Sequence, residues 1–143
     1  MKTQVLAAMI AVTAAGAALA HGGVENETVL ARMEGMKTLS TQLKTLGAMA
    51  KGQQAFDAAE AQAALDRLSE EAAQIPAQFE DEVIVEKSEA RPAIWQNWED
   101  FAAKAGDLQQ RSAALEVAQP GDLGPALRDL GGACKACHAD YRE

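Results

Sequence analysis

Aromatic side chains are scarce: Phe, Trp and Tyr make up 4% of the 143 residues. A β-sandwich would draw its core from aromatic and β-branched residues, so this poverty argues against one. Positive charge is also short, with 13 Lys and Arg against 21 Asp and Glu for a formal charge of −8, and no basic run of five or more residues occurs. A nucleic-acid binder is thereby excluded as a leading class. Beyond residue 20 no apolar run is long enough to span a bilayer. The sequence has no Ser-His-Asp set, no phosphate-binding loop, no βα alternation, no 20–50-residue repeat and no low-complexity tract. An enzyme therefore has little support.

What is present is alanine, 32 residues of it. Alanine is the best helix former and a poor core filler, because it removes little surface from water. One helical domain with closely packed helices and a thin core is expected, and a bound group that completes the core fits that expectation. Met1-Lys2 followed by an apolar stretch from Val5 to Ala20, ending in Ala18-Leu19-Ala20, has the form of a cleaved export signal. Thr13, Gly16 and the shortness of the run weigh against a membrane anchor. Residues 1–20 are read as a signal peptide and 21–143 as the exported domain.

Four amphipathic segments follow. Val29, Met33, Met36, Leu43 and Ala50 recur at helical spacing, widened by Leu39 and Leu46, between a cap at Asn26 and a stop at Gly52. The second segment starts at Asp57, with Glu60 three residues on, carries Leu65, Leu68, Ala72 and Ile75, and is expected to close at Pro76. Residues 76–91 read as a long acidic connection, with Val83-Ile84-Val85 as a loop anchor. The third helix is expected from Arg91-Pro92, with Ile94, Trp98, Phe101, Ala105, Leu108, Ser112 and Leu115 on one seam. Pro120-Gly121 breaks the chain, and Asp122 is the expected cap of a fourth helix bearing Leu127, Leu130, Cys134, Cys137 and Tyr141. Short outer connections and a long middle one predict an all-α, antiparallel four-helix bundle.

The only two cysteines stand in Cys134-Lys135-Ala136-Cys137-His138. Two thiols at this spacing can add across the two vinyl groups of one haem, leaving the adjacent histidine placed to ligate iron. On a helix all three side chains leave one face. A disulfide would be strained across this stretch of helix. A thioredoxin-like pair expects a strand before and a helix after the motif, and a structural zinc site wants four ligands, for which His21 is the one other candidate. One covalent haem c, with His138 as proximal ligand, is the reading. The group on the iron's other face is then expected from the earlier helices. His21, at the expected start of the exported domain, is a weak candidate, and a lone terminal histidine is weak support for a copper site. Methionines at helical spacing are ordinarily core, which is the preferred reading of Met33 and Met49.

With Cys134 to Arg142 in place, the exported domain resembles the class II c-type cytochromes, the cytochrome c prime family, over its whole length. Arg32-Met33-Glu34-Gly35-Met36-Lys37 is similar to the family's Arg-x-x-x-(Met/Leu)-Lys pattern, and Ala90-Arg91-Pro92-Ala93-Ile94-Trp95 to its Arg/Lys-Pro-x-Ile-Trp pattern. The resemblance implies thioethers at Cys134 and Cys137, His138 on the iron and Arg142 near the proximal imidazole. It further implies Arg32 on a haem propionate, with Met33, Glu89 and Ala90 along the haem edge. Met36 would stand over the distal face, either ligating the iron, the favoured reading, or only blocking it. The implied function is one-electron transfer between redox protein partners in the periplasm of a Gram-negative bacterium. The alternative is a five-coordinate binder of nitric oxide or carbon monoxide. Homodimers through the first two helices are common in the family.

Overall fold

The computed structural model describes residues 23–143; the expected signal peptide and His21 lie outside the described residues. The elements are α1 (Glu27–Ala50), α2 (Ala58–Gln78), the single-turn α3 (Ala93–Gln96), α4 (Trp98–Ala114), a 3₁₀ turn (Pro120–Asp122) and α5 (Leu123–Tyr141). Each long helix packs on the next and α5 returns to α1, closing a four-helix ring. Neighbours run antiparallel. Ser69 of α2 bonds the Gln109 carbonyl while Phe79 meets Phe101 at 5.2 Å, and Arg111 of α4 pairs with Asp129 while Tyr141 reaches Asp100. Among the described residues there is no strand, only one isolated antiparallel bridge between Ala90 and Arg142.

The caps at the front of the bundle are where the sequence places them. Asn26 accepts from the Val29 amide at 3.1 Å, and Asp57 from the Glu60 amide at 2.9 Å, each satisfying an amide that lacks a helical partner. Gly52 takes a φ of +67°, the left-handed geometry that ends α1. Three boundaries differ from expectation. Pro76 does not close α2, which continues to Gln78. Its fixed φ fits the last helical turn, and the helix end is set by side chains from outside: Arg32 Nε bonds the Gln78 carbonyl at 2.9 Å and Trp95 Nε1 the Phe79 carbonyl at 2.8 Å. The helix expected from Arg91-Pro92 is split at Asn97, whose side-chain amide and backbone amide both bond the Ala93 carbonyl, a local alternative to the helical ladder. Asp122 does not cap α5. Its carboxylate turns back to the Ala118 and Gln119 amides, both at 3.1 Å, and so fixes the preceding turn.

The core joins Leu39, Leu46, Leu65, Leu68, Ile75, Phe101 and Leu130, among others, with small residues such as Ala61, Ala72 and Ala105 between them. On α1 the expected stripe is rotated. Arg32, Gly35 and Met49 lie on its buried face with Val29, Leu39 and Leu46, whereas Ala50 is exposed and Met33 is 37% exposed. Gly35 leaves room for two side chains of α2: a Cβ there would come within 2.6 Å of both Glu71 Oε1 and Gln78 Oε1, which would have to move aside.

Candidate functional site

The second face of α1 explains the rotation. Met33, Met36 and Leu43 line a cavity of about 580 Å³ between α1, α4, α5 and the connection before α3. That volume lies in the range of small-molecule and cofactor sites, about 300–1,000 Å³. α5 supplies Cys134, Cys137 and His138 to the same cavity, and the connection supplies Glu89 and Ala90. Arg32 and Arg142 also line it, so every candidate site residue read from the sequence within the described chain borders one space. Met49 does not; it is 5% exposed in the core.

The thiols are half-buried and packed against the core cluster. Loss of solvent raises the pKa of both, that of Cys137 to about 11, with the Lys104 ammonium pulling the other way. They are therefore neutral thiols at physiological pH, the form whose S–H can add to a vinyl group. Among the described residues no group of three or more Cys, His, Asp or Glu could hold a metal ion. Desolvation first, and the Arg142 guanidinium second, lower the pKa of His138, against an opposing pull from Glu89. The ring is thus held neutral, the state in which an imidazole nitrogen can ligate. Two thiols and one imidazole on one helical face, opening onto a largely apolar cavity, fit a haem joined by thioethers.

The end of α5 is strapped to the connection. The Glu143 amide bonds the Glu89 carbonyl at 2.9 Å, and the Arg91 amide the Tyr141 carbonyl at 3.0 Å. Arg142 Nε and Nη2 both approach Glu89 Oε2 at 2.5 Å, and Arg91 Nη1 reaches the Ala139 carbonyl at 3.2 Å. This clip brings the connection alongside the turn that carries His138. Behind it, Tyr141 is buried with its ring edge-on to Phe101 at 5.3 Å, and its hydroxyl donates to Asp100 Oδ2 at 2.5 Å. Lys104 bridges Asp100 at 2.5 Å and Asp140 at 3.2 Å, which raises its own pKa and helps lower that of Asp100.

Arg32 is the least expected component. It is only 3% exposed, with the guanidinium 4.7 Å from the Phe79 ring centroid and 5.3 Å from that of Trp95. Besides the Gln78 carbonyl it bonds the Val83 carbonyl at 2.6 Å and that of Asp81. Three of its five N–H donors are spent on backbone, leaving two for the propionate contact that the resemblance implies. Val83 acts as the loop anchor, through its carbonyl, while Ile84 beside it is 45% exposed. Sequence reasoning missed the cavity lysines Lys87 and Lys104 and the ring of Phe101. Lys104 follows Asp100 by four residues, which reads as an ordinary exposed helix pair until α5 is packed beside it.

Residues 27–142 match the family model described as Cytochrome C'. The chain is 37% identical to cytochrome c-556 of Agrobacterium fabrum, over 99% of this chain and 95% of the relative. Among solved structures it is similar to oxidized cytochrome c556 of R. palustris, with a TM-score of 0.75, 27% identity, and coverage of 83% of this chain and 98% of that one. It is also similar to a variant of cytochrome c prime from Alcaligenes xylosoxidans in a nitric oxide complex, with a TM-score of 0.70, 28% identity and coverage of 81% and 94%. The chain belongs to the cytochrome c' family and is a monohaem c-type cytochrome.

Proposed function

We propose that this cytochrome is a one-electron carrier in which Met36 is the second axial ligand of the haem iron. The observation that carries the reading is the position of Met36. It is half-buried against the core cluster and lines the cavity that receives Cys134, Cys137 and His138. Met33 also lines the cavity but is the more exposed of the two, and Met49 lies away from it. Bound haem supplies reversible one-electron chemistry at iron. The protein's part is to hold the group, exclude water and leave one edge accessible. Cys134 and Cys137 would hold it to α5 and His138 would give the proximal nitrogen. Leu39, Leu43 and Phe101 keep the cavity apolar, while Met33, Glu89 and Ala90 form the edge presented to redox protein partners. The apolar leader, ending in Ala18-Leu19-Ala20, supports export to the periplasm with cleavage after Ala20. No helix among the described residues is long and apolar enough to cross a membrane.

A second reading is supported by the similarity to the nitric oxide complex of cytochrome c prime from Alcaligenes xylosoxidans. In it, Met36 blocks the distal face without bonding and a diatomic gas takes the site. The absorption spectrum with and without carbon monoxide separates the two. Electron transfer with Met36 ligation expects a low-spin ferric spectrum with a sulfur-to-iron band, unchanged by carbon monoxide after reduction, and conversion to high spin in Met36→Leu. A high-spin parent spectrum that shifts with carbon monoxide supports the gas binder. A low-spin parent with an unaltered Met36→Leu variant removes Met36 as the ligand.

A further inference from the structure

The chain has two tryptophans, and both stand at one open recess of about 420 Å³ with Pro76, Ala77 and Glu80. Both indoles are half-buried, so each keeps part of its surface in solvent. No Lys, Arg or His lines the recess, and Asp81, Glu82 and Glu99, next in sequence to Glu80 and Trp98, are exposed. The cation that touches its wall, Arg32, lies buried, 5.3 Å from the Trp95 ring centroid and bonded to backbone carbonyls. Ring faces and carboxylates both carry negative charge, so two indoles beside Glu80 suit a cation arriving from outside. The recess also backs onto the haem cavity. Phe79 and Phe101, in contact at 5.2 Å, line that cavity. Trp98 lies 5.7 Å from Phe101 between ring centroids, and the Trp95 indole N–H bonds the Phe79 carbonyl at 2.8 Å. Each indole is thus one contact away from a residue that lines the cavity.

We propose that the Trp95–Trp98 recess is a second electron-transfer port, where a redox protein partner seats a basic side chain and exchanges its electron through Phe101 and Phe79. This rests on the electron-carrier reading and adds to it a surface separate from the edge at Met33, Glu89 and Ala90, none of which lines the recess. The partner is basic because the recess and the residues flanking it offer carboxylates and ring faces, and complementary charge steers encounter and fixes register. The exchange makes and breaks no bond. One electron passes between haem and the partner's centre, one being oxidised as the other is reduced.

The test uses the haem-loaded full chain at low salt with two cationic probes. Hexaamminechromium(III), paramagnetic and not itself reduced here, reads docking through broadening of the two indole N–H resonances. Tris(phenanthroline)cobalt(III) reads electron transfer through stopped-flow oxidation of the reduced protein. Both indoles are expected to broaden ahead of the amide of Glu116, which lies beyond the far end of α4, about 25 Å away. Glu80→Lys should remove that preference and slow oxidation about threefold or more, an effect that fades at high salt. Glu116→Lys makes the same change of net charge at an exposed site and should leave the rate within about twofold. Trp98→Leu should slow oxidation with the midpoint potential unchanged and the Trp95 resonance still broadened. Glu80→Lys, at an exposed position, carries the test should Trp98→Leu fail to fold. Equal slowing by Glu80→Lys and Glu116→Lys, or an unaltered rate in folded Trp98→Leu, overturns the proposal. Oxidation of the parent without indole broadening removes the port and leaves the carrier reading standing. Broadening with no oxidation of the parent removes the carrier reading, and the port with it.

Discussion

Replacing Arg32 with Met keeps an unbranched side chain of similar length and removes the guanidinium. The hydrogen bonds to the carbonyls of Gln78, Asp81 and Val83 are lost, and with them the contacts to the Phe79 and Trp95 rings. A hydrogen bond from a charged donor is worth about 1.5–3 kcal/mol. The lower end applies because Asp81 is exposed and Val83 half-buried, so water can reach that stretch of backbone. Three bonds then total about 4–5 kcal/mol, and the ring contacts add about 1 kcal/mol. Relief from burying a cation, with a thioether in its place, returns about 2 kcal/mol. The net loss is about 3–4 kcal/mol, which for a domain of this size lowers the unfolding temperature by about 10 °C. Urea and thermal unfolding of the haem-loaded variant, followed by far-ultraviolet circular dichroism, measure it. Trp95→Phe, which removes the indole bond to Phe79, is expected to cost about 1 kcal/mol alone and less in the Arg32→Met background, since both side chains hold the same helix end. A loss under about 1 kcal/mol for Arg32→Met would refute the claim that Arg32 holds the end of α2 and the segment after it.

Two other expectations follow from the packing and the charges. Leu68 is fully buried between helices, so Leu68→Ala should cost about 2–5 kcal/mol in urea unfolding; a loss below about 1 kcal/mol would contradict its place in the core. Hydrogen bonds from Lys104 and then Tyr141 hold Asp100 below the usual carboxylate range. A carboxyl depressed in the folded state contributes stability above its unfolded pKa, about 3.9, and loses that contribution as pH falls through the folded value. Asp100→Asn should therefore be less stable than the parent at pH 7 and should lose less on acidification below about pH 4. Parallel pH curves for the two proteins would show that the network adds nothing.

Much of this architecture is legible in the sequence because it is written in local chemistry. Asn26, Asp57 and Gly52 mark helix ends through contacts within a few residues, and the Leu65-Leu68-Ala72-Ile75 stripe needs only the helical period to be read. The pentapeptide at Cys134 is legible for the same reason, since the chemistry of attachment fixes the spacing. What escapes is decided by distant partners. Pro76 looks like a stop, yet the end of α2 is set by Arg32 and Trp95, 46 and 16 residues from the carbonyls they bond. The strap joining residues 89–91 to residues 139–143 pairs segments about fifty apart, with no pattern in either to announce it. The rotation of α1 belongs to this class too. A methionine facing a cofactor and one facing a core have the same period, and only the cavity distinguishes Met36 from Met49.

Mass spectrometry of the intact protein and its peptides, purified from the periplasm of a host able to attach c-type haem, tests the central claim most directly. The account predicts a chain beginning at His21, heavier by one haem, with the added mass on the peptide containing Cys134 and Cys137 and absent after both are changed to alanine. An unmodified Cys134–His138 peptide from a haem-containing preparation, or covalent haem surviving in the double alanine variant, would contradict it.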